Sequence, residues 1–534
     1  MYDVWSRNIR HNLGRVRHNE GPTMAIVVSG SPSDQAFWGE HLRQTSSDVF
    51  RQDGSTYVAS VYEKSLRGNF LGTLNAWAEA MPGITASGID LPNVALMSMV
   101  FGKGKRLSPF TQALGNRKPA FPTPMKAAQS GIFLRTVDLA NLSANAWIRH
   151  LANCGFRGMI VKWGDEAVIP GVDWDAEPRD LSKVDAVRFV WKTEVTKELA
   201  REKEWIVTDP ATGLMKHQLS RQDQDALQHR ITELGDGVEV GVNLGSLAIS
   251  YLFLDTAVEV LGEDVLEPGK WVNWDPYAWI ALCCQDEAQW RAEATHEEQL
   301  GLTGIKELEA RYPDFYPKLS RLRRALESRT GRPLAIGVVD FGETFWVDLG
   351  LHLTLRETMD SLVTDSDRGR ATRELFGIPH DRDKNGNILV RSSFPPSAAI
   401  QDSVLIDSVI RDQDSIIHRG VVVGGRHGWL SMPQGGSALF CAADRMEYPG
   451  PHGVAFRSLG RKITVAEGGR HTSMMLPDGP TDMVSNESVL DYSGENYAQP
   501  ILGNAISFED AGKIMSAMDG RDLETRWLRA WKEK

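Results

Sequence analysis

The stretch NVALMSMVFGKGKRLSPFTQALGNRKPAF (residues 93–121) decides how this chain is read. An apolar strand runs into Gly102-Lys103-Gly104-Lys105-Arg106-Leu107, and a strand followed by a Gly-rich turn and basic side chains is a natural phosphate cradle. Glycines let backbone N–H groups approach phosphate oxygens, while Lys103, Lys105 and Arg106 supply positive charge. The loop is not a Walker A loop, because G-x-x-x-x-G-K-[ST] is absent, and it lacks the third glycine of the dinucleotide fingerprint. Taken alone, a Gly/Lys turn after a strand also fits an ordinary surface loop.

The surroundings of this stretch set the fold class. From Met24 to about Leu355 short apolar runs alternate with amphipathic stretches, the pattern of an α/β domain with a mixed, mostly parallel, Rossmann-like sheet. The strand candidates are residues 24–30, 57–63, 93–102, 157–165, 203–209, 247–255 and 335–342, several of which end in Gly or Asp. In open α/β sheets ligands bind outside the carboxyl ends of strands, so these glycines and carboxylates are the first site candidates. A charged, Leu- and Trp-rich stretch at about 276–332 reads as a helical insertion, and the catalytic domain is expected to span 1–375. Beyond it Ala398, Val404, Ile410, Ile416 and Val422 recur every six residues, which is not a helical period. Such a hexad repeat predicts a β-helix-like C-terminal domain over 388–506, with a plain meander as the other reading. A helical tail, 507–534, closes the chain with Leu523, Trp527, Leu528 and Trp531 on one face.

Composition narrows the function classes. The chain has 534 residues, 42% hydrophobic and 24% charged, which is ordinary usage for a folded protein. Its 70 acidic and 59 basic side chains give a net charge of −11, which argues against a nucleic-acid backbone or an anionic membrane as the main partner. Cys154, Cys283, Cys284 and Cys441 show no paired spacing, so neither a disulfide framework nor a Cys-rich zinc site is expected, and a cytoplasmic setting fits. The N-terminus has several Arg with no apolar stretch behind them, and no window reaches eighteen uninterrupted apolar residues, so neither signal peptide nor membrane span is expected.

Gly102 to Pro109, followed by Arg117-Lys118-Pro119, resembles the signature of the sugar-1-phosphate nucleotidyltransferases, in which a G-x-G-x-R-L-x-P loop wraps the triphosphate and a later Lys-Pro contacts phosphates. Two further marks follow in order. Trp163-Gly164-Asp165 looks like the Gly-Asp that holds the catalytic metal, and Trp346-Val347-Asp348-Leu349-Gly350 looks like the later W-x-D-x-G whose Asp completes it. Gly68 to Ala76, containing Gly72 and Thr73, resembles the base-binding segment but precedes the phosphate loop. That order is similar to the fucose-1-phosphate guanylyltransferase branch, as is the Gln-containing helix start Asp34-Gln35-Ala36-Phe37-Trp38. Two departures are evident: Lys103 stands at the second glycine of the usual pair, and the base segment has fewer glycines.

The resemblance implies an enzyme joining an NTP, with GTP favoured, to a sugar-1-phosphate or related polyol phosphate, with pyrophosphate leaving in line. Both reactants are anions, so the chemistry needs positioning and charge neutralisation and no covalent nucleophile. Arg106 and Lys118 are the expected catalytic residues. Gly72, Thr73, Gly102, Lys103, Gly104 and Lys105 are expected on the nucleotide, and Asp165 and Asp348 on Mg²⁺ or Mn²⁺, since hard cations take oxygen ligands. Asn243, Gly245 and Ser246 resemble the sugar-pocket turn, and a polar turn leading into a buried strand explains them equally well. Trp271, Trp274, Tyr277 and Trp279 read as packing of the insertion. Asp381 to Ile388 copies the start of an EF-hand loop, but Ser392 stands where its bidentate Glu is required, so it reads as an Asn-Gly turn. His418 invites a hexapeptide-repeat acyltransferase as the alternative enzyme, and a non-catalytic nucleotide-sugar-binding protein is the third reading. Self-association through the C-terminal domain is left open.

Overall fold

The computed structural model describes residues 4–17, 21–63, 68–102, 104–174, 179–267, 273–300, 305–487 and 495–533. Lys103 and Trp271 lie outside the described residues. The chain forms two compact units: one made of residues 1–99, 141–163 and 168–344, the other of 100–140, 164–167 and 345–534. The segment carrying the phosphate-loop motif therefore groups with the C-terminal strands.

The first unit is built on a nine-stranded sheet in the order Tyr57–Tyr62, Met24–Ser29, Val94–Met99, Gly158–Trp163, Glu239–Ser250, Ala186–Lys192, Ile336–Asp340, Leu214–Leu219, Trp205–Asp209. Its first four strands run parallel, and the central ones, Met24–Ser29 and Val94–Met99, are buried at every residue. Burial on both faces is why they read as continuous apolar runs. The expectation of a mostly parallel sheet is corrected at the other end. Glu239–Ser250 pairs antiparallel with three neighbours, and among the described residues five of the nine strand pairings are antiparallel. Because it also pairs with Trp205–Asp209, the last five strands close on themselves as a barrel.

Two local readings also change. Residues 241–246 are not a turn before a strand: they lie within Glu239–Ser250, whose register slips between Asn243 and Leu247, with Gly245 at φ +79°. That is the bulge position only glycine takes without cost. The strand expected at 247–255 stops at Ser250, whose hydroxyl accepts the Phe253 N–H and starts the helix Tyr251–Val260. The insertion is helical as read, with helices Tyr277–Cys283, Glu287–Gln299, Ile305–Arg311 and Phe315–Thr330, and Trp274, Tyr277 and Trp279 are buried in its packing.

The second unit carries two ladders of short parallel strands. One runs Ile388–Val390, Val404–Ile406, Gly420–Val423, Gly436–Leu439, Val454–Phe456 and Gly469–Leu476, and ends on the antiparallel Gly479–Asn486. The other runs Ala399–Gln401, Ile416–His418, Arg426–Met432, Ala442–Glu447 and Leu459–Thr464. Register partners stack apolar columns such as Leu405, Val422, Ala438 and Ala455. Val404, Ile410 and Val422 are buried as the hexad predicts, but Ile416 is 45% exposed and Ala398 only half-buried. Ile400 and Ile417 take the inward places, because the true spacing from rung to rung is uneven. The tail is two helices, Phe508–Ser516 and Gly520–Lys532, with Leu523 and Trp527 buried and Leu528 exposed. All four cysteines are unbridged, and no described helix is long and apolar enough to cross a membrane.

Candidate functional site

The phosphate-loop segment is fixed from its two glycines outward. Gly102 and Gly104 hold φ values of +113° and +57°. Gly104 is demanded by packing as well as by its dihedral. A Cβ there would lie 2.6 Å from Thr111 Cγ2 and 3.0 Å from Lys118 Cβ, so the missing side chain lets the loop lie directly on the base of Lys118. The Thr111 hydroxyl donates to the Gly104 carbonyl at 3.0 Å, and the Leu107 N–H does so at 3.0 Å, closing the turn Lys105–Leu107. Leu107 is wholly buried and anchors the turn, which leaves Lys105 and Arg106 exposed. The Lys105 ammonium stands over the Tyr497 ring, 4.8 Å from its centroid.

Lys118 begins a short turn, Lys118–Ala120, and its ammonium pairs with the Asp165 carboxylate. Both side chains are mostly buried, 15% and 17% exposed. Asp348 ends the strand Phe345–Asp348 and accepts the Gly350 N–H at 2.7 Å. A Cβ on Gly350 would collide with the end of Lys118, so this glycine clears the path of the lysine stem. Glu166, next to Asp165, accepts the Trp346 indole N–H at 2.9 Å. Burial pushes the Lys118 ammonium below its ordinary pKa; Asp348 opposes the shift, Arg106 adds to it, and Glu166 opposes it. The structure thus brings two cations, Arg106 and Lys118, into the field of three carboxylates, Asp165, Glu166 and Asp348, all within the second unit.

Carboxylate oxygens are the donor chemistry that Mg²⁺ or Mn²⁺ requires, so the residues present fit the expected ion. Among the described residues no group of three or more His, Cys, Asp or Glu side chains is arranged as a metal cage. The ammonium of Lys118 occupies the Asp165 carboxylate. Glu166 and Trp346 were missed in the sequence: the glutamate directly follows the Gly-Asp motif, and the tryptophan, inside W-x-D-x-G, looks like a packing residue until its N–H is seen to hold that glutamate.

The remaining candidates belong to the first unit. Gly245, with Asn69, Met99, Val161, Lys162, Trp163 and Leu247, lines a small cleft. Gly72 and Thr73 lie inside the helix Gly68–Ala86, where Gly72 lets the Glu63 carboxylate approach and Thr73 is buried. The start of that helix is filled by the protein itself, since Asp275 accepts the Phe70 N–H at 3.0 Å. Burial raises the pKa of this carboxyl to about 6. Asn243 donates to Glu204 at 3.1 Å and accepts the Gly245 N–H at 3.2 Å, so both sides of its amide are engaged within the bulge. Ser246 is 1% exposed, with its hydroxyl unpartnered among the described residues.

Two further sequence readings have local outcomes. The Asp383 carboxylate accepts the N–H groups of Asn385 and Asn387, a turn into Ile388–Val390 that leaves no calcium loop. His418 is half exposed, 3.7 Å from Asp402. No protein-family model and no curated protein matches the chain.

Proposed function

We propose that this protein is a nucleotidyltransferase that joins an NTP to a sugar-1-phosphate, releasing pyrophosphate. The observation that carries the reading is the convergence of the Gly104 loop, Lys118, Asp165 and Asp348, residues drawn from three separate stretches of one unit. A cluster of Lys and Arg facing carboxylates is what a reaction between two polyanions needs, because repulsion between reactants is its main barrier. In this reading the Gly102–Gly104 backbone and Arg106 take the triphosphate, and Lys118 draws charge toward the leaving pyrophosphate. Asp165 and Asp348 hold the divalent ion. A bound Mg²⁺ or Mn²⁺ supplies charge neutralisation at the α-phosphate. In this reading Lys118 leaves Asp165 for a phosphate oxygen. Gly72, Thr73, Asn243, Gly245 and Ser246 retain the base and sugar roles that the resemblance implies, with Asn243 and Ser246 acting through the bulge that shapes Gly245.

For the C-terminal strands we read the two ladders as successive coils of a β-helix. Support comes from register steps of 15 to 17 residues, as in Ile388 to Val404 to Val421 and Ser437 to Val454 to Arg470. Left-handed backbone recurs in step at Arg391, Asp407, Gly424, Phe440 and Arg457, and again at Gly386, Asp402, Arg419, Gly435, His452 and Gly468. These are the corners at which each coil turns.

The test is pyrophosphate release with Mg²⁺ from each of the four NTPs against a panel of sugar-1-phosphates. Turnover with one pair, abolished by Asp348→Asn, is the expected result. A folded protein that releases no pyrophosphate with any pair overturns the reading.

A further inference from the structure

We propose that His352 and Arg470 are positioning residues that set the phosphate loop, a role that rests on the function proposed above. The Ser108 carbonyl, one residue past the Lys105–Leu107 turn, accepts two hydrogen bonds from remote parts of the chain: His352 Nε2 at 2.6 Å and the Ser485 hydroxyl at 2.9 Å. The other ring nitrogen, His352 Nδ1, accepts the Arg470 Nε–H at 3.1 Å. This contact fixes the tautomer, since a nitrogen that accepts from a guanidinium leaves the proton on Nε2 to be donated.

Arg470 is held with equal completeness. Its Nη1 donates to the carbonyls of His452 at 2.9 Å, Gly468 at 3.0 Å and Gly469 at 3.0 Å, and its Nη2 donates to Glu487 at 2.9 Å. Glu487 also receives Arg356 at 3.0 Å. His352 is 4% and Arg470 1% exposed. A guanidinium and an imidazole buried this deeply are tolerated only when each donor and acceptor is matched, so the pair has one low-energy arrangement. Phe110 closes it, meeting His352 edge-on at 5.4 Å and Phe456 at 5.4 Å. Arg470 stands on the ladder strand Gly469–Leu476, so a rigid stack of strands is coupled through one imidazole to the end of the loop that carries Arg106. A hydrophobic core would hold the loop's depth but not the rotation of its peptide planes, and two donors converging on one carbonyl fix that rotation.

The experiment compares His352→Leu, His352→Gln and Ser485→Ala in the full chain. Gln can reproduce both contacts, donating its amide to Ser108 and accepting from Arg470; Leu reproduces neither. Ser485→Ala removes one donor and keeps the relay. We expect His352→Leu to raise the NTP KM and lower kcat/KM for NTP on the order of 10²-fold, the scale of a displacement near 1 Å, with the sugar-1-phosphate KM unchanged. His352→Gln should restore most of the loss, and Ser485→Ala should show a smaller loss of the same kind. Amide hydrogen exchange over residues 104–110 should rise in His352→Leu and return in His352→Gln. Unchanged exchange in folded His352→Leu, or equal losses for both substrates in His352→Leu and Ser485→Ala, overturns the proposal. If the parent releases no pyrophosphate, the proposed function fails, and the exchange measurement alone decides whether the relay holds the loop.

Discussion

Replacing Lys118 by methionine keeps the length of the stem that passes Gly350 and removes only the charge. Asp165 then loses its ion-pair partner, and Asp348 and Glu166 lose the cation whose field they share. Breaking a fully buried ion pair from one side costs about 3–5 kcal/mol, whereas an exposed pair is worth less than about 1 kcal/mol. With about one-sixth of each side chain still exposed, the loss should fall between these limits, at about 2 kcal/mol. Asp165→Asn removes the other half of the same pair, so the double variant should cost less than the sum of the singles, with a coupling of about 1–2 kcal/mol. The assay is urea unfolding of the four proteins of the cycle at neutral pH, followed by circular dichroism. At saturating NTP, Lys118→Met should also lose on the order of 10² in turnover, the scale of removing one donor from a preorganised anion site. Strict additivity of the two substitutions would show that the pair is not coupled. Parent-like turnover of Lys118→Met would refute its role on the leaving group.

Three further outcomes follow from the geometry. Gly104→Ala must place a Cβ against Thr111 and Lys118 at a left-handed φ, so it should destabilise by about 2 kcal/mol and raise the NTP KM; calorimetry and kinetics both unchanged would exclude the packed loop. Asp165→Asn and Asp348→Asn should each remove most Mg²⁺-dependent turnover without changing the far-ultraviolet spectrum, and the double variant should lose little more, since either breaks one site; additive losses would separate the two carboxylates. His427 stacks between Ile410 and Ala443 in the ladder, where burial lowers its pKa to about 4. The unfolded chain binds that proton near pH 6.5 and the folded chain does not, so stability must fall as the pH drops from about 6.5 toward 4, by about 1.4 kcal/mol per unit. His427→Leu should be flatter by about 2 kcal/mol between pH 7 and 5; identical slopes in urea midpoints would show that His427 is not held neutral.

Apolar runs alternating with amphipathic stretches located six of the nine strands of the large sheet to within three residues at their ends, since burial on both faces leaves unbroken runs such as Met24–Ser29; the candidate at 247–255 stands against Glu239–Ser250, and Ala186–Lys192 and Leu214–Leu219 had no candidate. It did not reveal strand direction, because the same apolar run serves a parallel or an antiparallel neighbour, and the closed barrel depends on partners distant in sequence. The ladder beyond Val422 was also hidden. Its repeat alternates between 16 and 17 residues, and its inward residues range from Leu to Ala, so a fixed hexad loses step. A better signal lies in the left-handed residues between the short strands, each followed by a small one, as in Asp402-Ser403, Asp407-Ser408, Gly424-Gly425 and Arg457-Ser458. The Ser403 and Ser408 hydroxyls accept the N–H groups of Gly420 and Gly425, 17 residues further along the chain.

By itself the sequence determined the residue types of the candidate site and their order, because a Gly/Lys turn after a strand, a Lys-Pro and two Asp motifs are local patterns that need only their own neighbours. It also determined the helical insertion, whose charged, helix-favouring composition sets it apart from the strands around it. Only the tertiary structure decided that Lys118 meets Asp165, that Asp348 and Glu166 share its field, and that Ser108 is held from 244 and 377 positions away. The reason is physical. Local propensity acts over a few residues, whereas an ion pair or a buried hydrogen bond is chosen by which elements pack together, and that choice is made by the whole core.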